Sequence, residues 1–415
     1  MSTAAAVDFD VVIAGGGMVG ATAALAFAPL GLRIAVVEAA ARNAAVQPSF
    51  DERSTALSRS SERLYGALGL WDRIEPGSAP IRHIHVSDQG RFGFSHIDAD
   101  EQGVDVLGRV VINRVLGDVL TVALAAVPNV TGFCPARVTA VHAEPGGVTV
   151  RIETGEGGAD EVRTHLLVAA DGAHSSVRDL LGIPAEHRAY AQQAVVGNLE
   201  TAVPIRDTAY ERFTRAGPLA LLPVPGGRAA FVWTVADADA ARVLALDDAA
   251  FAAELNAAFG MRLGRFDRIG RRAGYALSLN RARRVTATRS VLIGNAAHGL
   301  HPVAAQGFNL GLRDVAALAD CVADALAAGG DTAASGDARV LDRYAAWRRA
   351  DQRKLVAFTD GLVRLFGSDR APVRAVRDLG MLAFDLVPGV RREFARHTMG
   401  LAGHLPRLAR GVPLR

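Results

Sequence analysis

The chain has 415 residues, more than one hydrophobic core usually holds, so two domains or one elaborated domain is expected. Half of the residues are apolar and 21% are charged, which excludes a disordered or fibrous chain. Net charge is +3 with Lys354 as the sole lysine; basic stretches thicken towards the C-terminal end (RARR, WRRADQRK, VRREFARH) without an aromatic-interleaved face, so no nucleic-acid partner is expected and an anionic membrane surface is preferred.

The opening MSTAAAVDFD carries acidic residues and no basic, then apolar, signal pattern, so a cytoplasmic protein, peripheral to the inner membrane, is the expectation. Twenty uncharged residues from Val11 to Leu30 have the length of a membrane span. They divide instead into a β-branched run (Val11 to Ile13), a glycine turn, an Ala/Leu helix, a closing Gly31 and a second β-branched run ending in Glu38. Strand, G-x-G-x-x-G (Gly15, Gly17, Gly20), helix, strand, acid is the order of a dinucleotide-binding unit. The glycines let backbone approach a pyrophosphate at the positive helix start, and Glu38 is placed to accept hydrogen bonds from a ribose.

FDERSTALS (50–58) then puts Arg53 on a loop, and Val110 to Leu124 reads as a helix carrying Arg114. Taken alone, each arginine reads as a solvated or core-edge charge. Cys134 and Cys321 belong to no C-x-x-C or Cys/His cluster, so neither a disulfide framework nor a zinc site is expected. From Gly146 to Arg178 two alternating strands flank a Gly-rich turn, and the second runs to Asp171-Gly172. GEGGAD lacks the strand-to-helix context of a second phosphate loop, so the chain has one complete dinucleotide unit.

Residues 183–280 alternate in β fashion with tight turns, PVPGGR being the clearest hairpin, and read as a separate sheet walling a pocket. For Phe213, Leu222, Phe231 and Trp233 a core position is favoured over a pocket one. In 281–335, RSVLIGNAAH runs as a strand to Gly294, and a helix from about Phe308 to Ala327 carries Leu312, Val315, Leu318 and Val322 on one stripe. Amides of Gln306 to Asn309, Gly307 included, would face outward from the positive helix start. His298 and His301 lie three apart, but Pro302 argues against a helix there and no adjacent ligand completes a metal set, so no metal is expected. Beyond 336 the chain reads as helical, either an interfacial amphipathic helix or a cap on the fold.

The series GGGMVG, DERSTALS, ADGAHSSVR and GNAAHGLHPVAAQGFNLGLRD, in this order and spacing, resembles the flavin-dependent aromatic hydroxylases related to p-hydroxybenzoate hydroxylase. The resemblance implies a mixed α/β fold: a Rossmann-like FAD-binding domain (1–182 and 281–335), an inserted, mainly antiparallel substrate domain (183–280) and a C-terminal helical region (336–415). It implies bound FAD, with NAD(P)H and O2 as co-substrates and transfer through a flavin hydroperoxide. Carried over residue by residue, Gly15, Gly17, Gly20 and Glu38 would hold the ADP half, and Arg53 and Arg114 would lie near the pyrophosphate and ribityl groups. Asp171-Gly172 would contact FAD and NAD(P)H, and Gly294-Asn295 would lie near the ribityl chain, with Asn295 departing from the commoner Asp. Pro302 would give a dry face to the isoalloxazine, and the amides around Gly307 and Asn309 would stabilise the negative edge of reduced flavin.

Outside these motifs, HIHVSDQGRFGF, ERFTRAGPLALLPVPGGR and ELNAAFGMRLG resemble the ubiquinone-biosynthesis branch, nearest to enzymes acting on a polyprenylated methoxyphenol. That resemblance implies a polyprenylated phenol substrate, peripheral membrane contact and membership of a quinone-biosynthesis complex. Two other readings stay open: a different activity on this fold, and an FAD-holding scaffold subunit. Halogenation is disfavoured because Trp71, Trp233 and Trp347 form no Trp-x-Trp motif and Lys354 is the only lysine.

Overall fold

A computed structural model describes residues 7–41, 53–90, 94–155, 157–299, 306–366 and 388–414. The chain opens with β1 (Phe9–Ala14), α1 (Met18–Phe27) and β2 (Ile34–Val37), where β1 pairs in parallel with β2. From Val11 to Ala14 β1 is a continuous apolar run because both its faces are buried. The uncharged stretch is therefore a strand, a turn and a ten-residue helix about 15 Å long, and Gly31 closes it with φ 74°. No helix among the described residues is long and apolar enough to cross a membrane.

Next come β3 (Ser54–Ser58), α2 (Arg59–Ala67), α3 (Trp71–Ile74), β4 (Ser78–Ile81), β5 (His83–Asp88), β6 (Phe94–Asp98), β7 (Gly108–Ile112) and α4 (Asn113–Ala125). The expected helix over 110–124 thus begins only at Asn113. Val110, Val111 and Ile112 extend instead because their β-branched side chains pack in an antiparallel pair with β3. β3, β7 and β4 form a small sheet of their own.

β8 (Val130–Phe133), β9 (Ala136–Glu144), β10 (Gly147–Thr154) and β11 (Ala159–Ala169) follow, then α5 (Ser176–Leu180). β11 returns beside β1 in parallel, while β9 and β10 make the antiparallel meander expected around the Gly-rich turn. Apolar side chains of α1 and α4 cover one face of this sheet and the meander covers the other.

β12 (Ala185–Thr201), β13 (Thr208–Thr214), β14 (Gly217–Val224) and β15 (Arg228–Ala236) lead to α6 (Asp237–Ala245), α7 (Asp248–Phe259), β16 (Phe266–Asp267) and β17 (Ala273–Ala282). The PVPGGR turn joins β14 to β15 as a hairpin. β18 (Thr286–Ala287), β19 (Ser290–Leu292) and β20 (His298–Gly299) precede α8 (Gln306–Ala327), α9 (Ala338–Phe366) and α10 (Pro388–Thr398). β19 extends the parallel sheet beside β11, and α8 lays Leu312, Val315, Leu318 and Val322 into the same core as α1.

The second sheet has the order β20-β17-β12-β15-β14-β13-β5-β6, with β16 on β12. It takes in the β5–β6 hairpin, which joins β13 in parallel, as well as β20, so its strands come from three parts of the chain. One face is closed: Leu219, Leu221, Phe231 and Trp233 pack against α7, with Phe251 5.5 Å from Phe231 and 5.7 Å from Trp233 between ring centroids. Phe213, Phe231 and Trp233 are buried as expected of core residues. Leu222 alternates to the opposite face and packs in the cluster around Val110. The whole is the mixed α/β architecture expected, a Rossmann-like parallel sheet and a large antiparallel one.

Candidate active site

The turn between β1 and α1 admits only glycine at the places where the backbone closes on itself. Gly15 has φ 98°, and a Cβ there would lie 2.5 Å from the Ala170 carbonyl oxygen; one on Gly20 would lie 1.9 Å from that of Gly15. Gly17 is the N-cap of α1 and supplies no side-chain acceptor, so the first-turn amides are left to an external anion. Glu38 reaches back across the turn: one oxygen accepts from the Gly16 amide at 2.7 Å and the other from the Ala40 amide at 2.8 Å. The acid is held by the turn it serves, with acceptor positions remaining for a ribose.

At the end of β11 the Asp171 carboxylate accepts from Ser175, from Ser176 and from the Val177 amide, organising the start of α5. Gly172 has φ 90° and open space where a Cβ would be. Arg178, buried and absent from the sequence expectations, donates to the Ala173 and Ala296 carbonyls at 3.1 and 3.4 Å and so joins the Asp-Gly loop to the Gly294 turn.

That turn is fixed by a second residue the sequence reading did not single out. Asp314 on α8, fully buried, accepts from the Gly294 amide (3.0 Å) and His298 Nε2 (2.6 Å) on one oxygen and from Arg348 Nε (2.8 Å) on the other. Burial alone would raise its carboxyl, but the charges and hydrogen bonds of His298 and Arg348 outweigh it and hold the group down at about 2. His298 thus has a structural partner, a carboxylate sixteen positions further along the chain. Among the described residues no group of three or more His, Cys, Asp or Glu is arranged to hold a metal. Acids on the periodic, apolar helix α8, Asp314 among them, were the available signal.

Gly294 has φ 58° and is buried, whereas Asn295 is exposed. α8 starts at Gln306, two residues earlier than expected, so the amides of Gln306 to Asn309 occupy its first turn. Gly307 has open space where a Cβ would point. The Asn309 side chain is turned inward: its oxygen accepts from the Ser58 amide and Ser61 hydroxyl, and its nitrogen donates to the Ala56 carbonyl, locking β3 to α8. Any ligand contact from Asn309 would therefore come from its backbone. Pro302 and His301 lie outside the described residues.

Arg53 and Arg114 flank one junction, since the Arg53 carbonyl accepts from the Asn113 amide at 2.8 Å. Arg114 pairs with Asp118 at 3.7 Å, and the Arg53 guanidinium stacks 4.5 Å from the Tyr275 ring centroid. Tyr275 pairs with Ala194, so it stands on the face of the large sheet opposite Trp233. That face is only partly covered: Val196, Val232 and Ala220 remain half-accessible in the middle of the sheet. The Arg53–Tyr275 contact sets the start of β3 against this partly covered face, and the space over the face is the candidate cleft.

The tight glycine turn between β1 and α1, with its uncapped first-turn amides and Glu38 beside it, fits the dinucleotide FAD, and the class is that of the FAD-dependent aromatic monooxygenases. Residues 8–359 match the family described as FAD binding domain. The chain is 41% identical over 409 residues to ubiquinone hydroxylase UbiL of Rhodospirillum rubrum, covering 98% of this chain and 93% of that protein. It is 32% identical over 396 residues to 3-demethoxyubiquinol 3-hydroxylase of Escherichia coli, covering 94% and 98%. Its fold is shared with p-nitrophenol 4-monooxygenase PnpA of Pseudomonas putida at TM-score 0.79, 20% identity and coverage of 95% and 98%. The chain belongs to the FAD-binding monooxygenases, in the ubiquinone-biosynthesis hydroxylase group.

Proposed function

We propose that the protein hydroxylates the ring of a polyprenylated methoxyphenol, with 2-octaprenyl-6-methoxyphenol as the substrate, using NAD(P)H and O2. The observation that supports this most is the pairing of the glycine turn with a partly uncovered sheet face on which Val196, Val232 and Ala220 stand. Bound FAD would supply the redox chemistry, accepting a hydride from NAD(P)H and delivering one oxygen atom of O2. Gly15, Gly17, Gly20 and Glu38 would bind the ADP half; Arg53 and Arg114 the pyrophosphate and ribityl region; Asp171-Gly172 and Gly294-Asn295 the loops against the flavin chain. The first turn of α8, with Gly307 and Asn309, would direct amides to the pyrimidine edge, and Pro302 would cover the ring.

The protein's own contribution is to orient the ring and keep water from it, which the closed back face of the large sheet and the apolar side chains of its front face support. Peripheral contact with an anionic membrane, in the cytoplasm and within a quinone-biosynthesis complex, follows from the same substrate: a polyprenyl tail dissolves in lipid. α10, whose sequence PGVRREFARHT is rich in arginine, is the described part of the proposed surface; residues 367–387 before it lie outside the described residues.

The test is FAD-loaded protein with NAD(P)H and 2-octaprenyl-6-methoxyphenol, with the product's ring position assigned by NMR. A single hydroxylated product at one ring carbon is expected; flavin that NAD(P)H does not reduce would return the scaffold reading.

A further inference from the structure

One row of the large sheet's open face contains an ionisable side chain in apolar company. In strand register it reads Val86, Glu211, Ala220, Val232, Val196 across β5, β13, β14, β15 and β12. All five are half-accessible although they lie in the interior of a nine-stranded sheet. Directly behind them Leu219, Leu221 and Trp233 are closed off by α7. On the open face, the neighbouring row of Ala209, Leu222 and Ala230 closes against Ile81 and Val110 of β4 and β7. The Glu211 row is therefore the uncovered part of that face, the floor of the candidate cleft.

Glu211 makes no hydrogen bond or ion pair there among the described residues. Burial pushes its carboxyl up to about 7, and burial is the whole cause: no charged or titratable group on the flanking strands, or on β4 and β7 opposite, acts on it. An acid at an inward position of a strand, with no protein partner, is costly to fold around. Its neighbours Tyr210 and Arg212 both face the other side, where the Tyr210 ring meets Phe259 and Arg212 donates to the Ala258 carbonyl. Register alone therefore turns Glu211 to the cleft.

We propose that Glu211 binds the ring hydroxyl of the phenol and accepts its proton, an inference that rests on the hydroxylase reading above. The O–H bond of the phenol breaks, a carboxyl O–H forms on Glu211, and the ring gains the electron density of a phenolate for attack on the oxygen to be inserted. When the ring regains aromaticity its displaced hydrogen leaves to water, and Glu211 returns its proton to the original oxygen. A carboxyl poised near neutrality serves both directions, since its two protonation states are then close in free energy.

The test uses full-length, FAD-loaded protein as wild type, Glu211→Gln and Glu211→Asp. The first readout needs no turnover: 2-methoxy-4-nitrophenol, whose phenolate absorbs visible light, is bound to the oxidised protein at about pH 7, where the ligand and Glu211 have matched proton affinities. The phenolate band is expected with wild type, lost with Gln and partly restored by Asp. The second readout is turnover: kcat/KM falls about 100- to 1000-fold in Gln, and the acid limb of the wild-type pH profile disappears, while NAD(P)H still reduces the flavin. Equal bands in wild type and Gln, with kcat/KM within twofold, would overturn the role of Glu211 while leaving the hydroxylase standing. A wild-type protein that binds and hydroxylates no phenol would overturn both.

Discussion

Asp314 Oδ2 and His298 Nε2 meet at 2.6 Å across the junction between β20 and α8, with both side chains buried. The same oxygen takes the Gly294 amide, and Arg348 from α9 closes the other side of the carboxylate. One acid thus fixes the Gly294 turn. Asp314→Asn breaks a buried charge network while keeping the shape, and a loss of about 3–5 kcal/mol in unfolding free energy is expected. Chemical denaturation checks it, alongside a lower flavin content of the purified variant.

The same carboxyl gives a pH signature. Its folded value is depressed to about 2, below the ordinary carboxylate range, so its stabilisation is present above about pH 4 and is lost as pH falls through the folded value. The stability gap between wild type and Asp314→Asn is therefore expected to be constant near neutrality and to shrink between about pH 4 and pH 2. Denaturant midpoints across that range measure it.

At the glycine cradle, Gly20→Ala places a methyl where only 1.9 Å separates it from the Gly15 oxygen. The turn must open, and FAD affinity is expected to fall by at least tenfold with little change in far-UV circular dichroism. Gly307→Ala, with open space at its Cβ position, keeps the fold equally well and reads the flavin's proximity through the absorbance of the bound cofactor.

Tyr275 holds Arg53 by a stacked contact at 4.5 Å. Tyr275→Ala removes about 0.5–1 kcal/mol of cation–π attraction. A rise of about two- to fivefold in the FAD dissociation constant, measured by flavin fluorescence, is the expected size.

Opposite faces of β15 separate stability from binding. Trp233→Ala empties a buried site beside Phe251 and is expected to cost about 3–5 kcal/mol of stability. Val232→Phe adds bulk to the cleft floor and is expected to leave the denaturation midpoint near wild type while raising KM for the prenylated phenol. Melting curves and substrate titrations of the two variants should show these effects crossing over.

Local order was readable from the sequence because its causes are local. The G-x-G-x-x-G turn, the closing Gly31, the PVPGGR hairpin and the apolar stripe of α8 each follow from residues within a few positions of one another. What escaped depends on distant pairing. Asp314 meets Arg348 across 34 positions of chain, and Arg178 meets Ala296 across 118. Residues 110–112 read as the start of a helix but form strand because their partner, β3, lies some fifty residues away and decides their conformation. Glu211 opens the stretch ERFTRAGPLALLPVPGGR, but only the register of β13 between β5 and β14 shows which face it occupies.

The central claim, FAD-dependent hydroxylation of a polyprenylated phenol, is tested most directly by turnover of the FAD-loaded protein with NAD(P)H and 2-octaprenyl-6-methoxyphenol under isotopically labelled dioxygen. The account predicts one product carrying one new oxygen atom derived from that dioxygen. Consumption of NAD(P)H that yields only peroxide, or a product whose new oxygen comes from water, would contradict it.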